Sequence, residues 1–237
     1  DIYGQHRAEQ IVGRVLSERR DEVLVATKCG VAWAFEPELR IWREASGDYI
    51  RSAVDRNLQA LGIDEIDLFQ VHWPVKSVPA DETIGAMLEL KAAGKIRAIG
   101  VSNYDVDDLR AAALVGTIDS FQVGYHVMRR EIERQELPWC AENGVGVLAY
   151  GPLAHGLLTG KMSDATTFSE NDWRAQSEFF ADDAFSLRVA VTRELAAIAD
   201  GAGRPGGVAE LAVMWVLRRP EVTSAIVGAR NAAQARA

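Results

Sequence analysis

The 237 residues suit one large domain or two small ones, and an α/β barrel can use all of them. At 48% hydrophobic and 25% charged, the composition is that of an ordinary globular protein, which excludes disorder or a coiled coil as a reading of the whole. The net charge of −8 argues against a general nucleic-acid binder but leaves room for one positive pocket for a phosphate. No apolar run approaches the ~20 residues of a membrane helix, and the opening residues lack the basic and apolar regions of a signal peptide. Cys29 and Cys140 lie far apart without metal-ligand spacing, which points to a cytoplasmic protein with free thiols.

In chain order, a helix is expected from about Gln5 to Arg20, then a strand at Val23–Thr27. Ile50, Val54, Leu58 and Leu61 recur at helical spacing and stop at Gly62. Strands follow at Ile66–Val71, Ile96–Val101, Phe121–Gly124, Val145–Tyr150 and Ser224–Val227, each nearly continuous in apolar residues, as in parallel sheets buried on both faces. Between them fall helices capped by Asp81 (ending at Gly94) and by Asp105, a helix at Glu131–Asn143, and two more at Ala184–Asp200 and Val208–Arg218. Two long connections, Gly30–Asp48 and Ser163–Asp183, read as functional loops. No Gly-rich dinucleotide turn follows any strand. The pattern fits a (β/α)8 TIM barrel, in which six of the eight strands are present. Two βα units before Asp1 would close the count, so the chain, which starts without Met and stops at Ala237 inside a helix, reads as part of a longer barrel domain spanning 1–237 here.

In such barrels chemistry gathers at the carboxyl ends of the strands. There the sequence places Lys28, His72, Ser102 with Asn103, Gln122, Tyr150, and Gly228 with Arg230. Singly, each has a bland reading: a solvated lysine, a structural histidine, a turn, a core tyrosine. Together, converging on one face, they are hard to explain by packing. Tyr3, followed by Gly4 and a helix, occupies the equivalent place. A phenol of pKa near ~10 is a poor proton donor–acceptor at neutral pH, and a nearby ammonium favours its ionised form. Lys28 is the candidate ammonium, and His72 the group that orients a substrate oxygen. This set suits protonation of a carbonyl oxygen during hydride transfer. The four histidines (His6, His72, His126, His155) lack ligand spacing, so no metal is expected, and there is no G-x-S-x-G for a serine hydrolase.

The segments Asp1-Ile2-Tyr3-Gly4, Val25-Ala26-Thr27-Lys28, Val71-His72-Trp73-Pro74, Gly100-Val101-Ser102-Asn103-Tyr104 and Phe121-Gln122-Val123, the run from Ala149 to Lys161, and Ile226-Val227-Gly228-Ala229-Arg230-Asn231 together resemble the aldo-keto reductases, NADPH-dependent barrel oxidoreductases. The resemblance spans the chain, and its 150–161 run is its most specific part. It implies that Tyr3 is the general acid, that Lys28 lowers its pKa and that His72 orients the carbonyl. It implies that Ser102, Asn103 and Gln122 bind the nicotinamide carboxamide and that Tyr150 stacks on the nicotinamide. Gly151, Leu153, Gly156 and Leu157 would lie over the pyrophosphate. Gly228 would belong to the last cofactor segment, Arg230 would pair with the 2′-phosphate of NADP, and Gln234 would contact adenine. The family's fourth catalytic residue, an Asp five positions before the tyrosine, would lie upstream of Asp1.

The expected partner is a small-molecule carbonyl compound, with no nucleic acid and no membrane. Its pocket would be lined by Trp33, Phe35, Trp42, Trp73, Phe168 and Trp173. Two other functions fit parts of the pattern. A lyase with Lys28 as a Schiff base would not need Arg230 or the Ser102, Asn103 and Gln122 trio. A non-catalytic NADPH-binding regulatory subunit would keep the cofactor residues.

Overall fold

The computed structural model describes residues 2–35 and 37–236, and of Asp182 the backbone only. Asp1, which opens the first motif, and Ala237, the last residue of the expected helix, lie outside the described residues. The elements run α1 (Arg7–Arg19), β1 (Ala26–Cys29), β2 (Val31–Phe35), β3 (Leu39–Arg43), α2 (Gly47–Leu61), β4 (Ile66–Val71), α3 (Ala80–Ala92), β5 (Ile96–Ser102), α4 (Val106–Val115), β6 (Ser120–Gly124), α5 (Glu136–Asn143), β7 (Gly146–Tyr150), α6 (Asp182–Gly201), α7 (Gly207–Leu217), β8 (Val222–Ile226) and α8 (Ala232–Arg236). Six strands form one sheet in the order β1-β4-β5-β6-β7-β8, while β2 and β3 form a separate antiparallel pair. The chain divides into two compact units, residues 1–123 with 134–147, and residues 124–133 with 148–237.

In the first unit β1, β4, β5 and β6 pair in parallel, with Lys28 opposite Gln70, Gln70 opposite Gly100, and Gly100 opposite Ser120. Registered residues of a parallel sheet share a face, so these four form one row across four strands. Behind the sheet the buried stripes of α2 and α3 (Ile50, Val54, Met87) pack on Phe69 and Ile99, all below 1% exposed. Helix α2 ends where the sequence predicts, at Gly62 in the left-handed region (φ 67°), whose N–H bonds Leu58 O at 2.8 Å. Helix α4 opens on Asp105, which accepts from the N–H groups of Asp107 and Asp108. At the amino ends of the strands, the buried Asp67 of β4 accepts from Val25 N–H (2.9 Å) and pairs with Arg20 (2.9 Å) and Arg97 (2.7 Å).

Several boundaries differ from the sequence expectation. Helix α1 starts at Arg7, because Gln5 and His6 adopt left-handed φ (48° and 70°). Strand β1 starts at Ala26: Val23 and Leu24 are exposed, and Val25 gives its N–H to a side chain. Asp81 lies in the first turn of α3, whose N-cap is Pro79. Glu131–Glu133 is a separate 3-10 turn, so α5 starts only at Glu136. The long Gly30–Asp48 connection is not structureless. It carries β2 and β3, and β3 is exposed along its whole length, so it lacks the continuous apolar run that marks buried strands.

The second unit holds α6 and α7 and the segment after Tyr150. Its core joins Leu157, Leu158, Phe180, Phe185, Val189 and Ala212. The Ser163–Asp183 connection contains two 3-10 turns, Trp173–Gln176 and Glu178–Phe180, anchored through the buried Phe180.

Candidate active site

Three of the residues read from the sequence meet in the first unit. Lys28, near the end of β1, places its Nζ 5.5 Å from the centroid of the Tyr3 ring. The His72 ring, just past β4, lies 5.8 Å from the same phenol ring. Each is held by the backbone beneath it. His72 N–H donates to Cys29 O at 2.8 Å, tying the end of β4 to β1. Asn57, 1% exposed on α2, donates through Nδ2 to Lys28 O at 3.1 Å.

Burial sets the electrostatics. It lowers the Lys28 ammonium below its ordinary range, and the Glu9 carboxylate opposes that shift. Glu9 is 4% exposed and accepts a hydrogen bond from Thr27 Oγ1 at 3.0 Å. His72 is pushed down to about 4, first by burial and then by the Lys28 charge, so its imidazole is neutral at physiological pH. A neutral imidazole donates one hydrogen bond and accepts another, which suits orienting a carbonyl more than protonating it.

A cavity of about 330 Å³ beside this cluster is lined by Lys28, His6, Trp33, Trp42, Asn57 and Arg56, among others. Trp33 and Trp42 are among the residues that line it. Trp73 does not line this cavity; it stacks beside His72 and under the Arg43 guanidinium, 4.4 Å from its ring centroid. Asn57 and Glu9 escaped the sequence reading. Their one signal is a polar residue on the buried stripe of an amphipathic helix.

The ends of β5 and β6 bring three further residues together. Ser102 is fully buried and Gln122 is 6% exposed. Asn103 turns into the left-handed region (φ 60°) and donates through Nδ2 to His72 O (3.0 Å) and Ser102 Oγ (3.1 Å). Its backbone N–H donates to Gln122 O at 3.0 Å. Buried hydroxyl and amide groups at strand ends, beside the Tyr3, Lys28 and His72 cluster, form a donor–acceptor set suited to a carboxamide.

In the second unit Tyr150, half-buried at the end of β7, accepts on its carbonyl from Tyr125 N–H at 3.1 Å. Gly151, Ala154, His155, Gly156 and Gly160 all have positive φ, which turns this stretch into a tight backbone loop. Leu153 is half-buried, and Leu157 is a core residue, so only its backbone is left to face a ligand. Phe168 and Trp173 belong to an aromatic cluster with Phe180, at 5.1 and 6.1 Å. Gly228 and Arg230 are exposed past β8, and Arg230 forms no ion pair among the described residues. The Gln234 side chain accepts from Arg230 N–H at 2.8 Å, and Gln234 N–H donates to Asn231 Oδ1 at 2.9 Å, so this glutamine is engaged in the start of α8.

Comparison with known proteins gives this arrangement its context. The model of the Aldo/keto reductase family matches residues 1–237. The chain is 38% identical over 235 residues to Aldo-keto reductase YhdN of Bacillus subtilis, covering 98% of this chain and 70% of that protein. It is 33% identical to the NADH-specific methylglyoxal reductase of Escherichia coli, covering 99% and 74%. Among solved structures it superposes on the glycerol dehydrogenase AKR11B4 from Gluconobacter oxydans with a TM-score of 0.93 and 36% identity, over 98% of this chain and 71% of that one. The chain belongs to the aldo/keto reductase family: it has the α/β TIM-barrel class of fold, and it is an oxidoreductase that acts on carbonyl groups with a nicotinamide cofactor.

Proposed function

We propose that this protein reduces aldehydes or ketones to alcohols with NADPH, with Tyr3 as general acid assisted by Lys28 and His72. The observation that carries the reading is the approach of the half-buried Lys28 Nζ to the Tyr3 ring, with His72 beside that ring. The bound cofactor supplies the hydride. Tyr3 gives its hydroxyl proton to the carbonyl oxygen, while the Lys28 ammonium stabilises the phenolate left behind. Neutral His72 donates a hydrogen bond to the same oxygen and fixes its direction. Ser102, Asn103 and Gln122 would hold the nicotinamide carboxamide, and Tyr150 with the backbone at Gly151, Leu153, Gly156, Leu157 and Gly228 would be the cofactor residues of the second unit.

The preference for NADPH rests on Arg230. An exposed guanidinium with no acidic partner among the described residues matches a 2′-phosphate bidentately. Gln234 contributes to the adenine end. The E. coli relative is NADH-specific by name, and the preference of this chain for NADPH is proposed on Arg230 alone. The substrate is a small carbonyl compound placed against Trp33 and Trp73. Two free, buried thiols support a cytoplasmic location.

The test is Tyr3→Phe. Carbonyl reduction falls about 10²–10⁴-fold, the usual worth of a positioned acid. NADPH affinity, read by fluorescence titration, stays within twofold in this expectation. Turnover near the wild-type rate would move the proton to another donor, with His72 first in line.

A further inference from the structure

Gln70 has no place in the mechanism above, yet it is among the most enclosed polar residues of the first unit. It is 0% exposed, near the carboxyl end of a strand where Leu68, Phe69 and Val71 surround it and Asp67 stands at the other end. A primary amide buried this way is costly unless its hydrogen bonds are made. Its partners are specific. Nε2 donates to Gln122 Oε1 at 3.0 Å, and Oε1 accepts from Ser120 Oγ at 3.4 Å.

The topology makes this contact unusual. Gln70 is on β4, while Gln122 and Ser120 are on β6, and β5 lies between them. The side chain passes over β5 because Gly100 stands there. A Cβ on Gly100 would meet Ser120 Oγ at 2.5 Å and Gln70 Cγ at 2.7 Å. A glycine inside a strand often marks such a close approach by another group. On its other side Gln70 is in register with Lys28. The row Lys28, Gln70, Gly100, Ser120 thus runs from the proton-transfer cluster to the carboxamide set, with Gln70 spanning its gap.

We infer that Gln70 is a positioning residue that fixes the Gln122 amide for the nicotinamide carboxamide. The inference rests on the assignment of Gln122 given above. An unrestrained glutamine amide rotates and presents either its oxygen or its nitrogen. With Oε1 of Gln122 holding the Gln70 amide, one orientation is selected, and Nε2 and the second lone pair of Oε1 face the ligand in a fixed sense. Gln70 touches neither substrate nor cofactor in this arrangement. Its effect reaches the ring only through Gln122.

The experiment compares two ligands in the full-length protein: NADPH, and 2′-phosphoadenosine diphosphoribose, which keeps everything except the nicotinamide. In Gln70→Met the volume stays and the hydrogen bonds go. NADPH affinity is expected to fall about five- to tenfold, the worth of one ordinary hydrogen bond, and affinity for the truncated ligand to stay within twofold. Hydride transfer from C4-deuterated NADPH is also expected to lose part of its face selectivity, which a purely structural role would not alter. In a Gln122→Ala background, Gln70→Met should cost nothing more, because its route has been removed. Equal affinity of wild type and Gln70→Met for both ligands, with Gln122→Ala still selectively weakening NADPH, overturns the role of Gln70 and leaves that of Gln122 standing. If Gln122→Ala itself leaves NADPH binding unchanged, the Gln122 assignment fails, and the inference with it. Should Gln70→Met lose the truncated ligand as well, Gln70→Glu, which keeps the length but cannot donate from Nε2, is read in its place with the same expectations.

Discussion

The two units present functional groups in different ways. In the first, Lys28, Gln70, Ser102 and Gln122 are side chains on paired strands, and the register of the sheet sets their spacing. In the second, the stretch from Gly151 to Gly160 offers mostly backbone, bent by positive φ at Gly151, Ala154, His155, Gly156 and Gly160, and its large side chains turn into an aromatic core. Proton transfer tolerates little displacement of the donor, so a sheet is a suitable mount. A long cofactor enters and leaves, so loops that grip it through N–H groups serve better. On the functional reading proposed above, first-unit substitutions should act on chemistry and second-unit substitutions on cofactor grip.

The largest separation is expected from Lys28→Met. A neighbouring opposite charge is worth about 1–3 pKa units to a titrating group, so removing the ammonium raises the Tyr3 phenol toward ~10. Alcohol oxidation needs the phenolate and should fall about 10–1000-fold at neutral pH, recovering in alkali. Carbonyl reduction needs the protonated phenol and should not recover the same way. Paired pH–rate profiles in the two directions would show this; loss in both directions at every pH would leave the charge without its assigned role. Unchanged nucleotide affinity in the same variant would mark the effect as chemical.

Arg230→Ala is the counterpart in the second unit. Hydrogen bonds to charged groups are worth about 1.5–3 kcal/mol, so NADPH affinity should drop about 10–150-fold, with NADH affinity little changed and turnover at saturation preserved. Equal losses for both nucleotides would remove the 2′-phosphate assignment.

The smallest effect concerns stability in acid. His126 in the second unit, 4% exposed, is pushed down to about 4, first by burial and then by His155, Arg129 and Arg188. Between its ordinary 6.5 and that value the unfolded chain holds a proton that the folded chain refuses. Its contribution is therefore complete above pH 6.5 and is lost as pH falls toward 4. His126→Gln should flatten that part of the stability–pH curve, measured by denaturant titration. His72 in the first unit carries the same sign. A curve as steep in His126→Gln as in wild type would show that His126 is not a source of the acid sensitivity.

Strand ends were legible in the sequence because parallel strands buried on both faces are continuous apolar runs, and the first polar residue after each run is conspicuous. Lys28, His72, Ser102 and Gln122 were found that way. Gln70 was not, since a single amide inside a strand looks like an imperfection until Gly100, on the strand between Gln70 and Ser120, is seen to make room for it. Strand β3 was hidden for the opposite reason: it is exposed along its length, mixes Arg40 and Arg43 with Ile41 and Trp42, and shows no buried run. Loop aromatics such as Phe168 and Trp173 were equally at home in a pocket or a core by composition alone, and their ring contacts place them in the second unit's aromatic cluster.

The Arg20, Asp67 and Arg97 ion pairs have a consequence for how this enzyme can change over evolutionary time. They brace β1, β4 and β5 at the amino ends, while the proposed reacting groups stand at the opposite ends of those strands. Mutations that accumulate around Asp67 are filtered by whether the strands stay assembled, and mutations at the carboxyl ends by what the enzyme accepts. The two kinds of selection act on different residues of the same strands. A lineage can thus adapt to a new temperature or a new substrate without one adjustment undoing the other.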